Sequence, residues 1–325
     1  MAFFWKVDSF PRVRSLGKIF LYALFVLLGG ALVAPQAWKL IQLLPPDLLH
    51  GLIGDVQRMP FHRYLSRSIQ VAAIVLLPPL LLSLHVRSLE ELGLYGNERR
   101  FKDLLAGLAS GIPAALVLII AMFLSGSLEF HANWKPSILP RIFLSAVVVA
   151  VLEEFLFRGV ILGFLRQSLS RWFAIVCSAL IFAGLHFLNF PSSGNEKVAP
   201  TVWSGLSTLS SFGQSLPSWP IFAWAFATLL LAGIILAWMT TRTGSLWASI
   251  GLHGSWVFAQ QLFNSIAGYR HLPPDLFLPY VGPAQCHGAV PIGLDALASL
   301  LLAGLIAGLL LRNRPSSRLY TRIFW

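Results

Sequence analysis

The sequence of 325 residues is too apolar for a soluble protein, because 56% of its residues are hydrophobic and only 11% are charged, whereas a soluble globular chain carries about 25% charged residues. The formal net charge of +11 does not indicate nucleic-acid binding, since the basic residues flank apolar runs instead of forming one patch. Two cysteines are too few to predict a disulfide framework. The composition therefore predicts an integral membrane protein.

Eight apolar segments along the chain approach the length needed to cross a bilayer. A hydrocarbon core of about 30 Å requires about 20 apolar residues in a helix. The segments are residues 19–38, 69–86, 104–126, 141–163, 172–190, 220–241, 245–267 and 293–311. They are joined by connections without a break in composition, so the sequence predicts an all-α, polytopic bundle of about eight spans that forms a single membrane domain over residues 1–325.

The basic residues predict the orientation of these spans. With eight spans both termini share one side, and Lys and Arg are more numerous on that side than on the other. By the positive-inside rule, both termini are predicted to be cytoplasmic. The first apolar run follows basic residues like a signal peptide, but it is longer than the 7 to 15 residues typical of one. We therefore predict an uncleaved first span.

Three ionisable residues lie in the fourth predicted span, Glu153, Glu154 and Arg158. An ionised side chain at mid-bilayer costs roughly 2.5–3.5 kcal/mol, so each is a functional-site hypothesis. Glu154 and Arg158 are four residues apart and can pair on one helical face. Glu153 is rotated by about 100° from Glu154 and is left for chemistry or for a ligand. A purely structural ion pair is the alternative, but it accounts for only two of the three residues.

Histidines lie in two further predicted spans, His186 in the fifth and His253 in the seventh. A lone histidine in an apolar helix is more often a hydrogen-bonded packing residue, but the pair together with Glu153 favours a site. Gln260 and Asn264 share the helical face of His253. For these two amides we favour hydrogen bonding between helices.

A glutamate and two histidines in an apolar bundle can form a hydrolytic site. Glu153 could act as a general base on a water that His186 orients, and His253 could donate a hydrogen bond to the oxyanion formed when water attacks a carbonyl. The same three residues could instead hold a catalytic zinc ion with an open position for water. No HExxH spacing is present on one helix, so a metal-free mechanism without a cofactor is favoured.

A second possible metal site is formed by His271, Cys286 and His287, which lie in the predicted loop of residues 268–292. An ordinary external loop is the favoured interpretation of this segment. A proton-coupled transporter would also use buried Glu, Arg and His. The sequence contains no evident inverted repeat, which argues against that function.

Three motifs in this order resemble the CPBP superfamily, the CAAX prenyl endopeptidases and their bacterial relatives of the Abi or bacteriocin-processing type. They are EEFLFRG at 153–159, FAGLH at 182–186 and TGSLWASIGLH at 243–253. The stretch LEELGLYGNERRFKDLLAGLASG at 89–111 is also similar to the segment that precedes the core helices of that family.

The resemblance implies a division of the chain. A CAAX-protease-like core would extend over residues 89–265. Residues 1–88 would form N-terminal spans, and residues 268–325 would form an external loop, the last span and a basic tail. The chain would be a multi-pass protein, and the bacterial relatives point to the bacterial inner (cytoplasmic) membrane.

The resemblance also implies an activity, that of an intramembrane endopeptidase of the glutamic type. Glu153 would be the general base and His186 would bind the catalytic water. Glu154 and Arg158 would support the site, and His253 would help to form the oxyanion hole. The partners would be the bilayer and a protein or peptide substrate with a cleavage site close to the membrane.

The sequence departs from the family pattern at one position. In the family the last histidine is usually followed four residues later by Asn or Asp, but this chain has Val257 there. A valine side chain cannot form a hydrogen bond, so Gln260 or another group would have to supply the donor. The alternative function is a catalytically altered membrane scaffold or immunity-type protein that retains the fold.

Overall fold

The chain is helical in a computed structural model that describes residues 10–48, 52–84, 86, 88, 92–94, 98–124, 128–131, 134–188, 199–211, 216–269 and 293–314. The predicted all-α class is confirmed. The α-helices are α1 (Phe10–Gln42), α2 (Leu52–Gln57), α3 (Phe61–Ser83), α4 (Arg100–Leu124), α5 (Leu139–Glu154), α6 (Leu162–Ser168), α7 (Arg171–Leu185), α8 (Ser204–Ser210), α9 (Trp219–Thr243), α10 (Trp247–Ile266) and α11 (Leu294–Leu311). A short 3-10 turn, Pro136–Ile138, precedes α5.

Within the described residues, five helices are long and apolar enough to cross a membrane: α1 from Gly17 onward, α3, α4, α9 and α11. α7 is a shorter apolar helix of 15 residues. The predicted segments outside these five correspond to α5 with α6, to α7 and to α10, which carry the ionisable residues singled out in the sequence. The predicted total of eight spans therefore stays a prediction.

Two short strands, β1 (Leu128–Phe130) and β2 (Ala267–Tyr269), depart from the purely helical expectation. They pair antiparallel, with Leu128 opposite Tyr269, and they follow the ends of α4 and α10. These strands could not be predicted from the sequence, because three residues are too few to show an alternating pattern.

The chain divides into two compact units. The first contains residues 1–87 and 188–216, and in it α1 packs against α3 and α8. Gly30 of α1 lies so close to the backbone of Ile69 that a Cβ atom there would approach it to 2.6 Å. The second unit contains residues 88–187 and 217–325 and carries all the candidate site residues.

Glycines bring the helices of the second unit into close contact. A Cβ atom on Gly107 or Gly111 of α4 would collide with α10, at the Ala248 carbonyl and at the Ser255 hydroxyl respectively. Small residues four apart allow membrane helices to approach in this way. At the contact of α9 with α7, a Cβ atom on Gly233 would lie 3.0 Å from Ala179.

The predicted fourth span is not a regular α-helix throughout. Its helical run changes to a π-helix at Phe155–Ile161 and returns to α geometry in α6. π-Helical turns are rare in proteins, and those that occur often lie at functional sites. This π segment begins directly after Glu154 and contains Arg158, so it lies at the candidate site. Inside it, Gly159 leaves room for the Leu92 carbonyl oxygen, which a Cβ atom would approach to 3.2 Å.

The turn that includes Leu92 supports the beginning of α10. Gly93 has a φ of +82°, a conformation that glycine adopts without steric cost. The Leu246 amide donates a hydrogen bond to the Gly93 carbonyl at 3.0 Å, and the Trp247 indole nitrogen donates one to the Leu94 carbonyl at 3.0 Å. The turn thus ties α10 to the segment that precedes α4.

Candidate active site

A buried network connects Glu154 to two other residues. The Arg158 guanidinium donates a hydrogen bond to Oε1 of Glu154 at 2.7 Å, and both side chains are fully buried. The pair predicted from the spacing is therefore confirmed. Nδ1 of His253 lies 2.8 Å from the same carboxylate oxygen. Nη2 of Arg158 also donates to the Gly233 carbonyl of α9 at 3.5 Å, so this network joins α5, α9 and α10.

Two histidine rings point their Nε2 atoms toward Glu153. Nε2 of His186 lies 3.9 Å from Oε2 of Glu153, and Nε2 of His253 lies 3.8 Å from the same oxygen. Glu153 is on α5, His186 caps α7 and His253 is on α10. The fold therefore brings together the three residues that the sequence singled out.

Hydrogen bonds place the proton of each imidazole ring on Nδ1, the nitrogen that is not directed at Glu153. Nδ1 of His186 contacts the Phe182 carbonyl at 2.8 Å, and a carbonyl oxygen can only accept. Nδ1 of His253 contacts the Glu154 carboxylate, which Arg158 keeps in its accepting form. Each Nδ1 is therefore the donor, and in a neutral imidazole Nε2 is then an acceptor.

Three acceptor atoms thus converge at separations too long for hydrogen bonds. The Oε2 atom of Glu153 is out of solvent and has no hydrogen-bond partner among the described residues. Acceptors in this arrangement require a species that supplies protons or positive charge between them. A water molecule can donate its two hydrogens to two of these three acceptors, and a metal ion can supply positive charge to all three.

Phe182 packs at the centre of the site, a role that the sequence did not reveal. Its ring centroid lies 4.3 Å from the Arg158 guanidinium carbon and 4.4 Å from the His186 ring. It also contacts Phe157 edge-on at 5.1 Å and His253 at 6.1 Å. Its position four residues before His186 was the available signal, since residues four apart share a helical face.

Ser249 is a second residue that the sequence did not single out. It lies one turn before His253 on α10 and is fully buried. Its hydroxyl donates a hydrogen bond to the Leu246 carbonyl at 2.9 Å and accepts one from Thr240 at 3.0 Å. A serine in an apolar helix is too common to be recognised as a site residue from sequence.

The other positions of α10 that the sequence singled out lie farther along the helix. Val257 is half-buried one turn beyond His253, and Gln260 is half-buried a further turn away, about 10 Å from His253 along the axis. Asn264 is exposed. The neighbouring Gln261, which was not singled out from the sequence, donates a hydrogen bond to Ser145 of α5 at 3.0 Å.

The side chains of Glu153, His186 and His253 are of the types that bind zinc, but their acceptor atoms are farther apart than zinc ligands are. A carboxylate and two imidazoles whose Nδ1 atoms bond to a carbonyl and a carboxylate form a typical zinc environment. Tetrahedral ligands at zinc distances would lie about 3.3 Å from one another, so the three acceptors would have to close in. In the described residues no group of three potential ligands forms a metal site as it stands. His271, Cys286 and His287 lie outside the described residues.

Comparisons with known proteins identify the domain that contains these residues. Residues 133–259 match the family model described as type II CAAX prenyl endopeptidase Rce1-like. Glu153, His186 and His253 all fall inside the match. No curated protein and no solved structure matched the chain in the corresponding searches.

The match confirms the resemblance to the CPBP superfamily that the three motifs indicated. It also agrees with the apolar helices of the chain, which together with the family show a multi-pass integral membrane protein. Residues 133–259 are therefore similar to the Rce1-like CAAX prenyl endopeptidases, and this similarity supports an intramembrane endopeptidase in general.

Proposed function

We propose that this protein hydrolyses a peptide bond of a membrane-associated protein or peptide, at a site close to the membrane, with Glu153 as the general base. The observation that supports this proposal is the convergence of Oε2 of Glu153 with Nε2 of His186 and of His253. The catalytic core is proposed to cover residues 89–265, within one membrane domain.

The geometry suggests how the attacking water is held. One hydrogen of the water would be donated to the Glu153 carboxylate and the other to Nε2 of His186, whose Nδ1 proton is held by the Phe182 carbonyl. As the water oxygen bonds to the carbonyl carbon, its proton passes to Glu153, and the carbonyl electrons become an oxyanion. When the C–N bond breaks, the leaving nitrogen takes this proton from Glu153.

His253 can stabilise the oxyanion only in one protonation state. Because its Nδ1 proton is held by Glu154, a neutral ring has no proton at Nε2 to donate. We propose that Nε2 of His253 takes up a proton from solvent before the attack, so that the ring held by Glu154 can donate to the oxyanion. Glu154 and Arg158 are then positioning residues, and Gln260, two turns away, is a supporting residue of α10.

The test compares cells that produce the wild-type protein with cells that produce Glu153→Gln or His186→Ala. Mass spectrometry of the N- and C-terminal peptides of membrane proteins would show which ends depend on the enzyme. We expect processing to fall by about 10²- to 10⁴-fold with Glu153→Gln. Matched controls are Glu98→Gln and His131→Ala, which change an exposed carboxylate and an exposed imidazole of the same unit. Normal processing by both site variants would refute the assignment.

A zinc-dependent form of the same reaction is the second candidate. It is supported by the carbonyl and carboxylate partners of the two Nδ1 atoms, which are typical of zinc-binding histidines. Glu153, His186 and His253 would hold the ion, and the ion would supply a water that ionises near neutral pH. We favour the metal-free form, because the spacing of the three acceptors suits a water better than a tetrahedral ion.

A non-enzymatic scaffold or immunity-type partner is the third candidate, and Val257 favours it. This residue occupies the position where the family usually has Asn or Asp, one turn beyond His253. In this case Glu153→Gln would leave the function of the partner protein intact.

We further propose that both termini face the cytoplasm of a bacterial cell. The support is the larger number of Lys and Arg residues on the side that the termini would share. Fusions of a reporter enzyme that is active only outside the cytoplasm to the C-terminus and to the loop of residues 268–292 would test it. We expect activity only in the loop fusion, and the reverse result would invert the topology.

A further inference from the structure

Four arginines lie together at one end of the second unit, and we refer to them as the arginine cluster. Arg166 is on α6, Arg171 begins α7, Arg242 is in the last turn of α9 and Arg312 follows α11. Nε of Arg171 donates to the Thr241 hydroxyl at 3.3 Å. Nη2 of Arg242 donates to the Arg312 carbonyl at 2.6 Å.

The positive charges of this cluster act on one another. Arg166 and Arg242 are both close enough to Arg171 to repel its charge. None of the four guanidinium groups forms an ion pair with an acidic residue in the described part of the chain. Nε of Arg166 is out of solvent and has no hydrogen-bond partner among the described residues. A buried donor without a partner is costly, which indicates that the cluster is completed by a ligand.

The sequence also leaves the cluster without compensating charge. No Asp or Glu occurs at residues 155–195, 197–274 or 296–325, which include all four arginines. Arg314 provides the contrast, since it lies two residues beyond Arg312 and pairs with the buried carboxylate of Asp103. The fold therefore neutralises one arginine at this end and leaves the charges of Arg166, Arg171 and Arg242 without an acidic partner among the described residues.

Aromatic residues beside the cluster indicate its depth in the membrane. Trp172 is 61% exposed and Phe173 is 64% exposed, and the Arg171 guanidinium lies 5.9 Å from the Trp172 ring centroid. Exposed tryptophans beside arginines are typical of the level of the lipid headgroups. Arginines at this level meet lipid phosphates, with which a guanidinium can form two parallel hydrogen bonds.

From these observations we propose that the arginine cluster binds the phosphate of an anionic phospholipid headgroup at the membrane surface. The phosphate would lie between Arg166 and Arg171, at the positive end of α7. Arg242 contributes charge and also holds the last carbonyls of α11. The inference does not depend on the peptidase activity, so it can fail while the proposed function stands.

The test is native mass spectrometry of the purified full-length protein, released from detergent with phosphatidylglycerol or with phosphatidylcholine. The variant is the double substitution Arg166→Gln with Arg171→Gln, which leaves the α11 contacts of Arg242 in place. The matched control is Arg141→Gln. It removes an exposed arginine at the other end of the same helical run, roughly 37 Å away along the axis.

We expect the wild-type protein to retain phosphatidylglycerol in preference to phosphatidylcholine. Each substitution should lower this preference by about fivefold, and the double variant by roughly 25-fold, whereas Arg141→Gln should leave it unchanged. Inorganic phosphate at millimolar concentration should not displace the lipid.

Several results would overturn the proposal. Equal retention of the two lipids by the wild-type protein would do so without any variant, so a folding defect cannot mask it. An unchanged preference in the folded double variant would show that Arg166 and Arg171 do not bind the lipid. An equal loss in Arg141→Gln would show that positive charge in general is responsible. Displacement by inorganic phosphate would identify a site for free phosphate instead of a lipid.

Discussion

Nδ1 of His253 bonds at 2.8 Å to the carboxylate of Glu154, a residue 99 positions earlier in the chain. The same carboxylate oxygen accepts the hydrogen bond of Arg158. One buried carboxylate therefore fixes the orientation of a histidine and neutralises an arginine. Glu153, its neighbour in sequence, instead lies 3.8 Å from Nε2 of His253 and is partly exposed. Adjacent glutamates thus have different physical roles, which can be separated by measurement.

Glu154 should be required for stability and Glu153 for activity. Glu154→Ala leaves the guanidinium of Arg158 buried without its partner, and we expect the free energy of unfolding to fall by about 3–5 kcal/mol. Glu153→Gln should change it by less than about 1 kcal/mol, because that side chain has no ion-pair partner of comparable proximity. Unfolding of the purified protein with a denaturing detergent measures both. Similar losses in the two variants would contradict this separation of roles.

The Val257→Asn substitution distinguishes an enzyme lacking one donor from a scaffold. Position 257 is about 6 Å beyond His253 along α10, and an amide there could donate to the oxyanion. One such donor is worth on the order of 100- to 1,000-fold in rate in other enzymes. We therefore expect Val257→Asn to process the substrate faster than the wild type, by at most about this factor. Val257→Leu, which adds no donor, is the control. If terminal-peptide analysis shows no gain for Val257→Asn, the missing donor does not limit this protein.

Removal of metal ions distinguishes the two peptidase mechanisms. In the metal-free mechanism, treatment with a strong zinc chelator leaves the processing rate of the purified protein unchanged. A zinc mechanism requires loss of activity and its return with added zinc. It also requires elemental analysis to show about one zinc per chain in the wild type and less in His186→Ala. We expect the chelator to have no effect, and zinc-dependent recovery would establish the alternative.

Gly107 should be essential for the position of His253. A Cβ atom at Gly107 would collide with the Ala248 carbonyl, so Gly107→Ala must separate α4 from α10. We expect the free energy of unfolding to fall by about 1–3 kcal/mol. Processing should also fall, because α10 carries His253. Gly308→Ala is the matched control: nothing lies within 4 Å of its added atom, and alanine favours a helix over glycine by up to about 1 kcal/mol. Equal stability of the two variants would argue against close packing of α4 on α10.

Features that depend on neighbouring residues could be predicted from the sequence. The helical class followed from the length and apolarity of the segments, and the Glu154–Arg158 pair followed from a four-residue spacing on one helix. The three motifs also indicated Glu153, His186 and His253 as a set. The π segment at Phe155–Ile161 and the short strands could not be predicted, because both are local departures from regular periodicity.

The sequence by itself thus determined the membrane class, the ion pair within one helix and the identity of the candidate residues. Only the tertiary structure decided that His186 and His253 approach the same oxygen of Glu153. It also decided that Nδ1 of His253 is held by Glu154, 99 positions earlier in the chain. The physical reason is that these contacts join helices distant in the chain. The distance between these helices depends on close packing at glycines such as Gly107 and Gly233. Residue spacing along a single helix does not determine that distance.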